Sequence, residues 1–194
     1  MKLYTYLYRS STVMLYEESQ YDFYRMTGVS LKKISIRSLI TIMASHQIRY
    51  MILWRKAHHK MTFFRRVKLL QYARKYGLEI SPSACSGKGC YLGHPYNITV
   101  GADVKIGNNV NLHKGCTIGR ENRGKREGVP IIGDCVSVGI NSTIVGRVRI
   151  GNDVMIAPNT FVNFDVPSHS IVIGNPAVIH HKDNATKGYV NFVV

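Results

Sequence analysis

Val100, Ile106, Leu112 and Ile118 stand six residues apart, and after a gap the same beat resumes at Ile132, Val138, Ile144, Ile150, Ile156 and Val162. The residue after the aliphatic is usually small: Gly101, Gly107, Gly119, Gly133, Gly139, Gly151 and Ala157. Four residues after it comes a compact or β-branched side chain: Val104, Val110, Cys116, Val136, Ser142, Val148, Val154 and Thr160. This repeat predicts a coil of short strands in which one aliphatic per side points inward and stacks on its equivalent in the next turn. Glycine and asparagine are expected at the tight corners, which bulkier side chains resist. Each turn buries its face only against its neighbours, so the expected fold is a solenoid.

The pattern before residue 78 is different. Apolar residues recur at helical spacing: Leu39, Ile42 and Met43, then Met51, Ile52 and Trp54, then Phe63, Phe64, Val67, Leu70 and Tyr72. Two or three amphipathic helices ended by Gly77 are expected, with apolar stripes that bury Met51, Trp54 and Phe64 against the coil. The division is therefore a basic helical segment over 1–77 and a coil domain over 78–194, with an inserted loop at 120–131 and a C-terminal tail.

Charge sharpens this division. The net charge is +15, with 26 Lys and Arg against 11 Asp and Glu, and no acidic residue lies between Phe23 and Glu79. Such a balance suggests an anionic partner. The helical segment reads as a cap on the coil with basic faces in water, or as a helix pair lying on an anionic membrane surface. No recognised nucleic-acid motif is present, and no nucleic-acid partner is expected. The opening "MKLYTYLYRSSTVMLYEE" lacks the features of a signal peptide, and no apolar run approaches the ~18 residues of a membrane span. Cys85, Cys90, Cys116 and Cys135 show no metal-binding or paired spacing, so buried, reduced thiols in a cytoplasmic chain are expected, without a metal.

The beat breaks once more, before Val100, where the preceding hexad begins at Leu92, eight residues away. The added stretch carries His94. A side of eight cannot lie flat in a wall of six, so it bulges, and a bulge re-aims a side chain out of the wall.

"IGNNVNLHKGCTIGRENRGKREGVPIIGDCVSVGINSTIVG" and "NFDVPSHSIVIGNPAVI" resemble the hexapeptide-repeat acyltransferases, and within them the serine acetyltransferase branch. The likeness extends to the shorter members associated with bacterial polysaccharide and capsule gene clusters. It covers about residues 78–190, and more weakly the helical segment, where "YDFYRMTG" is also similar. The resemblance implies a mainly β fold, a left-handed parallel β-helix preceded by α-helices, assembled as a homotrimer. It also implies transfer of an acetyl group from acetyl-CoA to a hydroxyl.

In that family the catalytic histidine occupies a widened hexad of this kind, and His94 matches it. A neutral imidazole with a pKa near 6.5 can take the proton of an alcohol at neutral pH. The family's orienting carboxylate falls fifteen residues before the histidine, a place held here by Glu79 instead of the usual aspartate. The loop residues Asn122, Arg123, Lys125 and Arg126 are expected to cover the cleft and meet cofactor phosphates or an anionic acceptor. For acetyl-CoA the matching positions are Gly139 and Ala157, with Asn141, Pro158 and Asn163 nearby. Where some relatives place a basic residue for the CoA phosphates, this chain has Phe164 and Val178, and the run His180, His181, Lys182 is the substitute.

Two departures bear on the acceptor. The family's aspartate before the catalytic histidine is Gly93 here, and its loop arginine and second histidine are Gly128 and Val129. Those groups contact serine in the family. A sugar or polysaccharide-precursor hydroxyl is therefore the expected acceptor. Serine O-acetylation for cysteine synthesis is the alternative, and a non-catalytic β-helix scaffold is the rival of another class. "CSGKGC" lacks the spacing of a phosphate loop. His113 reads as a wall or surface residue, and His58–His59 as a solvated face.

Overall fold

The computed structural model describes residues 16–31 and 35–194. Most of the opening stretch, on which the signal-peptide reading rests, lies outside the described residues. Among the described residues no helix is long and apolar enough to cross a membrane.

Four helices precede the coil: α1 (Glu17–Thr27), α2 (Ile36–Ala44), α3 (His46–His59) and α4 (Phe63–Tyr76). Side chains start three of them. Ser35, Ser45 and Thr62 each accept a hydrogen bond from a first-turn amide, filling a donor the helix leaves unpaired. Gly77, at φ 65°, ends α4 in the left-handed conformation that glycine adopts cheaply.

The helices are not equally buried. Met51 and Trp54 of α3 lie in the same core as the coil. The Trp54 indole donates to the Ser81 carbonyl at 3.1 Å, and the Ile80 amide donates to the Tyr50 hydroxyl at 3.0 Å. Phe64 departs from expectation: α4 buries none of its residues, and Phe63 and Phe64 are 76% and 78% exposed. On α2, Ile36, Ile40 and Met43 are also exposed. The helical period identified an apolar stripe but not which stripes find a partner within the chain.

An ion pair locks the helices to the coil. Arg55 of α3 donates to both oxygens of Asp22 of α1 at 2.8 and 3.0 Å, and to the carbonyls of Ser86 and Gly87 at 2.7 and 2.6 Å. Asp22 also accepts from the Cys90 amide at 2.9 Å. Both side chains are 2% exposed. A buried charge survives only when its lone pairs and protons are used, and here the bonds cross from helices to coil. His59, expected on a solvated face, stacks on Tyr16 and faces Glu18 at 3.6 Å.

The coil begins with β1 (Leu78–Ile80), β2 (Cys85–Ser86) and β3 (Tyr91–Gly93). Its second turn is β4 (Ile98–Val100), β5 (Lys105–Ile106) and β6 (Asn111–His113). The third is β7 (Thr117–Gly119), β8 (Ile131–Ile132) and β9 (Ser137–Val138), and the fourth β10 (Thr143–Val145), β11 (Arg149–Ile150) and β12 (Val154–Ile156). After β13 (Phe161–Val162) come β14 (Ser170–Gly174) and an antiparallel return, β15 (Ala177–His181). Strands one turn apart pair in parallel, which makes three walls: β1-β4-β7-β10-β13, β2-β5-β8-β11, and β3-β6-β9-β12-β14 with β15 at its edge.

The hexad aliphatics become ladders. Ile80, Val100, Ile118, Ile144 and Val162 stack in register on the first wall. Leu92, Leu112, Val138, Ile156 and Val172 do so on the third. The compact residues four positions later, Val104 to Thr160, are buried at the corners.

Asparagines and the glycines Gly89, Gly115 and Gly146 take positive φ at the corners as expected, but the glycines directly after the aliphatics serve a different purpose. Asn97, Asp103, Asn109, Cys135, Asn141, Asp153 and Asn159 take the left-handed conformation at the corners, whereas Gly107, Gly133, Gly139 and Gly151 do not. Those glycines are small because the next turn lies against them: a Cβ on Gly139 would stand 2.6 Å from the Ile156 carbonyl oxygen. Of the thiols, Cys90 and Cys116 are buried, and burial pushes each up to about 12, but Cys85 is exposed.

Candidate active site

His94 follows β3 at the corner between the third and first walls. It is exposed, at φ 49°, and Asn97 in the same corner is at φ 54°. A second left-handed residue in one corner is what the two added residues produce. Histidine tolerates that conformation better than bulky or branched residues do. The widened corner is braced from outside: the Asn97 amide donates to the Tyr76 carbonyl and the Gly115 amide to the Tyr96 carbonyl, both at 2.9 Å.

His46, at the first position of α3, is a brace that the sequence reading missed. Its ring stacks on Tyr76 at 4.5 Å and lies 5.4 Å from the Tyr96 ring. Burial first, and then the charges of Arg49 and Lys75, push its pKa down, so it is neutral at pH 7. Nothing local in the sequence marks it, because α3 meets the corner only in the folded chain.

Glu79 is exposed at the centre of β1 and heads a register row with Thr99, Thr117, Thr143 and Phe161 on the outer face of the first wall. It borders the wall that His94 leads into. Among the described residues no hydrogen bond or ion pair joins it to His94.

His113, set aside in the sequence reading, stands in register beside Gly93 at the end of β6. Its ring meets Tyr91 edge-on at 6.2 Å. Burial first, and then the charge of His94, push its pKa down, so His113 is neutral at pH 7. The position after each inward aliphatic of this wall runs Gly93, His113, Gly139, Ala157, one residue per turn. At ~4.8 Å per strand, the three steps from Gly93 to Ala157 span about 14 Å. This shelf of mostly small residues starts beside His94 and ends at the expected CoA positions. Pro158, next to Ala157, and Asn163, just past β13 of the first wall, are exposed. Asn141 is exposed at its corner, where its amide donates to the Lys114 carbonyl at 3.0 Å. Lys182 is exposed just past β15.

The inserted loop leaves from a different corner. It follows β7 of the first wall, so that wall separates it from His94. Glu121 and Gly128 close it by reciprocal backbone bonds of 3.0 Å, and the Arg147 amide donates to the Arg126 carbonyl at 2.9 Å. Asn122, Arg123, Lys125 and Arg126 are all exposed. Within one chain the loop and His94 therefore leave the coil at different corners. A shallow depression lined by Ile131, Arg149 and Asp165 lies on the second wall, away from His94.

No family model matches the sequence. Among proteins of known name, a serine acetyltransferase of Helicobacter pylori is 31% identical over 140 residues, covering 70% of this chain and 82% of its own length. Serine acetyltransferase 4 of Arabidopsis thaliana is 39% identical over 102 residues, but the chain spans only 29% of that protein. The soybean serine acetyltransferase apoenzyme superposes with a TM-score of 0.67 at 26% identity, over 84% of this chain and 66% of that one. The coil is thus the left-handed parallel β-helix that the family resemblance implied, and the chain belongs to the serine acetyltransferase family.

Proposed function

We propose that this chain is an acetyl-CoA-dependent O-acetyltransferase with His94 as its general base. The observation that carries the reading is the widened corner, which holds an exposed imidazole at the start of a shelf of mostly small residues. His94 removes the proton of the acceptor hydroxyl as its oxygen attacks the thioester carbonyl. The tetrahedral intermediate collapses, the C–S bond breaks, and the imidazolium returns its proton to the departing thiolate. No acyl-enzyme forms. Glu79 orients the imidazole once the acceptor orders the cleft. Gly139 and Ala157 admit the pantetheine arm, with Asn141, Pro158 and Asn163 beside it and Lys182 toward the phosphates.

The working unit is a homotrimer. The corner separation of His94 and the loop supports a shared site, with Arg123, Lys125 and Arg126 of one subunit facing a neighbour's cleft. The exposed apolar residues of α2 and α4, set among lysines and arginines, support contact with an anionic membrane surface on the cytoplasmic side.

The relatives favour serine as the acceptor over the sugar expected from the sequence. A sugar or polysaccharide-precursor hydroxyl is retained as a second reading on one observation: Gly93, Gly128 and Val129 offer no side-chain charge for an amino acid's ammonium and carboxylate. Initial rates of CoA release with free serine and with hexoses decide between them. A serine kcat/KM on the order of 10⁴ M⁻¹s⁻¹ or more is that of an efficient enzyme and dismisses the sugar. CoA binding without turnover on any hydroxyl dismisses catalysis.

A further inference from the structure

We propose that His113 is a second imidazole of the acceptor site, a specificity-determining residue that hydrogen-bonds a hydroxyl next to the one acetylated. The inference rests on the transfer reading above and deepens its second acceptor.

Three observations place the ring there. His113 is in register with Gly93, the residue immediately before His94. A Cβ on Gly93 would run into His113 Nδ1 and Cε1, so the ring lies over the Gly93 backbone and fills the space any other side chain would claim. Tyr91 meets the ring edge-on, and His113 lies between Gly93 and Gly139 on the shelf that leads away from His94.

Tyr91 meets the ring edge-on and the charge of His94 reaches it, and neither is a carboxylate. A neutral imidazole offers one N–H donor and one acceptor nitrogen. That pair suits a hydroxyl, which also both donates and accepts, and supplies no charge to balance an ammonium. An acceptor with two neighbouring hydroxyls can therefore present one to His94 and the other to His113.

The test is steady-state kinetics with acetyl-CoA and either hexoses or free serine, on wild type, His113→Ala, His113→Asn and Gly93→Ala. His113→Ala is expected to raise the hexose KM about tenfold or more while the acetyl-CoA KM stays within about threefold. His113→Asn, which keeps a donor and an acceptor, should recover part of the loss. Gly93→Ala, which displaces the ring, should reproduce the His113→Ala profile. An unchanged hexose KM in His113→Ala, a loss confined to kcat, or an equal KM loss for serine overturns the inference. Retained transfer after removal of the His94 imidazole would instead overturn the base assignment, so the two failures are distinguishable. If Gly93→Ala does not fold, the two His113 variants decide alone.

Discussion

Arg55→Met tests whether the helices are fixed to the coil by the buried pair. The substitution leaves Asp22 buried at 2% exposure without its partner, and the Ser86 and Gly87 carbonyls without their donor. Removing one member of a buried pair costs about 3–5 kcal/mol, because the other charge stays behind uncompensated. That is a large share of the ~5–15 kcal/mol of a typical domain. The double variant Asp22→Leu/Arg55→Met removes both charges and keeps apolar volume. It should lie about 2 kcal/mol or more above the sum of the singles, since neither charge remains unpaired. Trp54 is the single tryptophan and lies 5.1 Å from the Arg55 guanidinium, so its fluorescence reports on the joint itself. Urea unfolding at fixed protein concentration measures all four proteins. Arg55→Met within about 1 kcal/mol of wild type, or strictly additive singles, would refute the reasoning.

Other consequences follow from the same geometry. Burial tends to raise the Asp153 carboxyl, but hydrogen bonds from Thr186, His169 and Ala185 outweigh it and hold the pKa below the ordinary value. The unfolded chain therefore binds the proton first as pH falls, so this stabilisation is present above the unfolded pKa and is lost through the folded one. Asp153→Asn should flatten that acid limb, and superimposable acid-unfolding curves for the two proteins would contradict it. Ala157→Leu should raise the acetyl-CoA KM about tenfold or more with little change in the acceptor KM; an unchanged KM in titrations of acetyl-CoA would move the donor elsewhere. Flotation with anionic liposomes should recover the protein at low salt and lose it at high salt, with each basic residue near the surface contributing about 1 kcal/mol. Equal recovery on neutral vesicles, or none on either, would leave the basic helices to water.

The coil was legible because its core is one-dimensional. A single inward aliphatic per wall, as in Val100, Ile118 and Ile144, must recur at a fixed count for the ladders to form. The same count also contained the loop's position: Ile118 belongs to the first wall and Leu92 to the third, so loop and histidine leave from different corners. The glycines that follow the aliphatics misled, because the sequence shows where bulk is refused but not why; Gly139 meets a neighbouring turn, while Asn141 carries the corner. His94 was readable as two extra residues in a rhythm. His46 and Arg55 were not, since their partners Tyr96 and Asp22 lie far away along the chain and only packing unites them. Phe64 showed the same limit from the other side: its period marked an apolar stripe, and no period says what covers it.

The central claim is that the His94 imidazole takes the acceptor's proton. Alanine at that place would add backbone strain at φ 49°, whereas asparagine accepts the left-handed conformation and removes the base. Glu79→Gln should cost less than His94→Asn, because it loosens the base without removing it. The decisive measurement is the rate of acetyl transfer by His94→Asn at saturating acetyl-CoA and acceptor, alongside acetyl-CoA binding by the same protein. The account predicts intact binding and a 10²–10⁴-fold loss of rate, about 3–5 kcal/mol of barrier. A rate within a few-fold of wild type would contradict it.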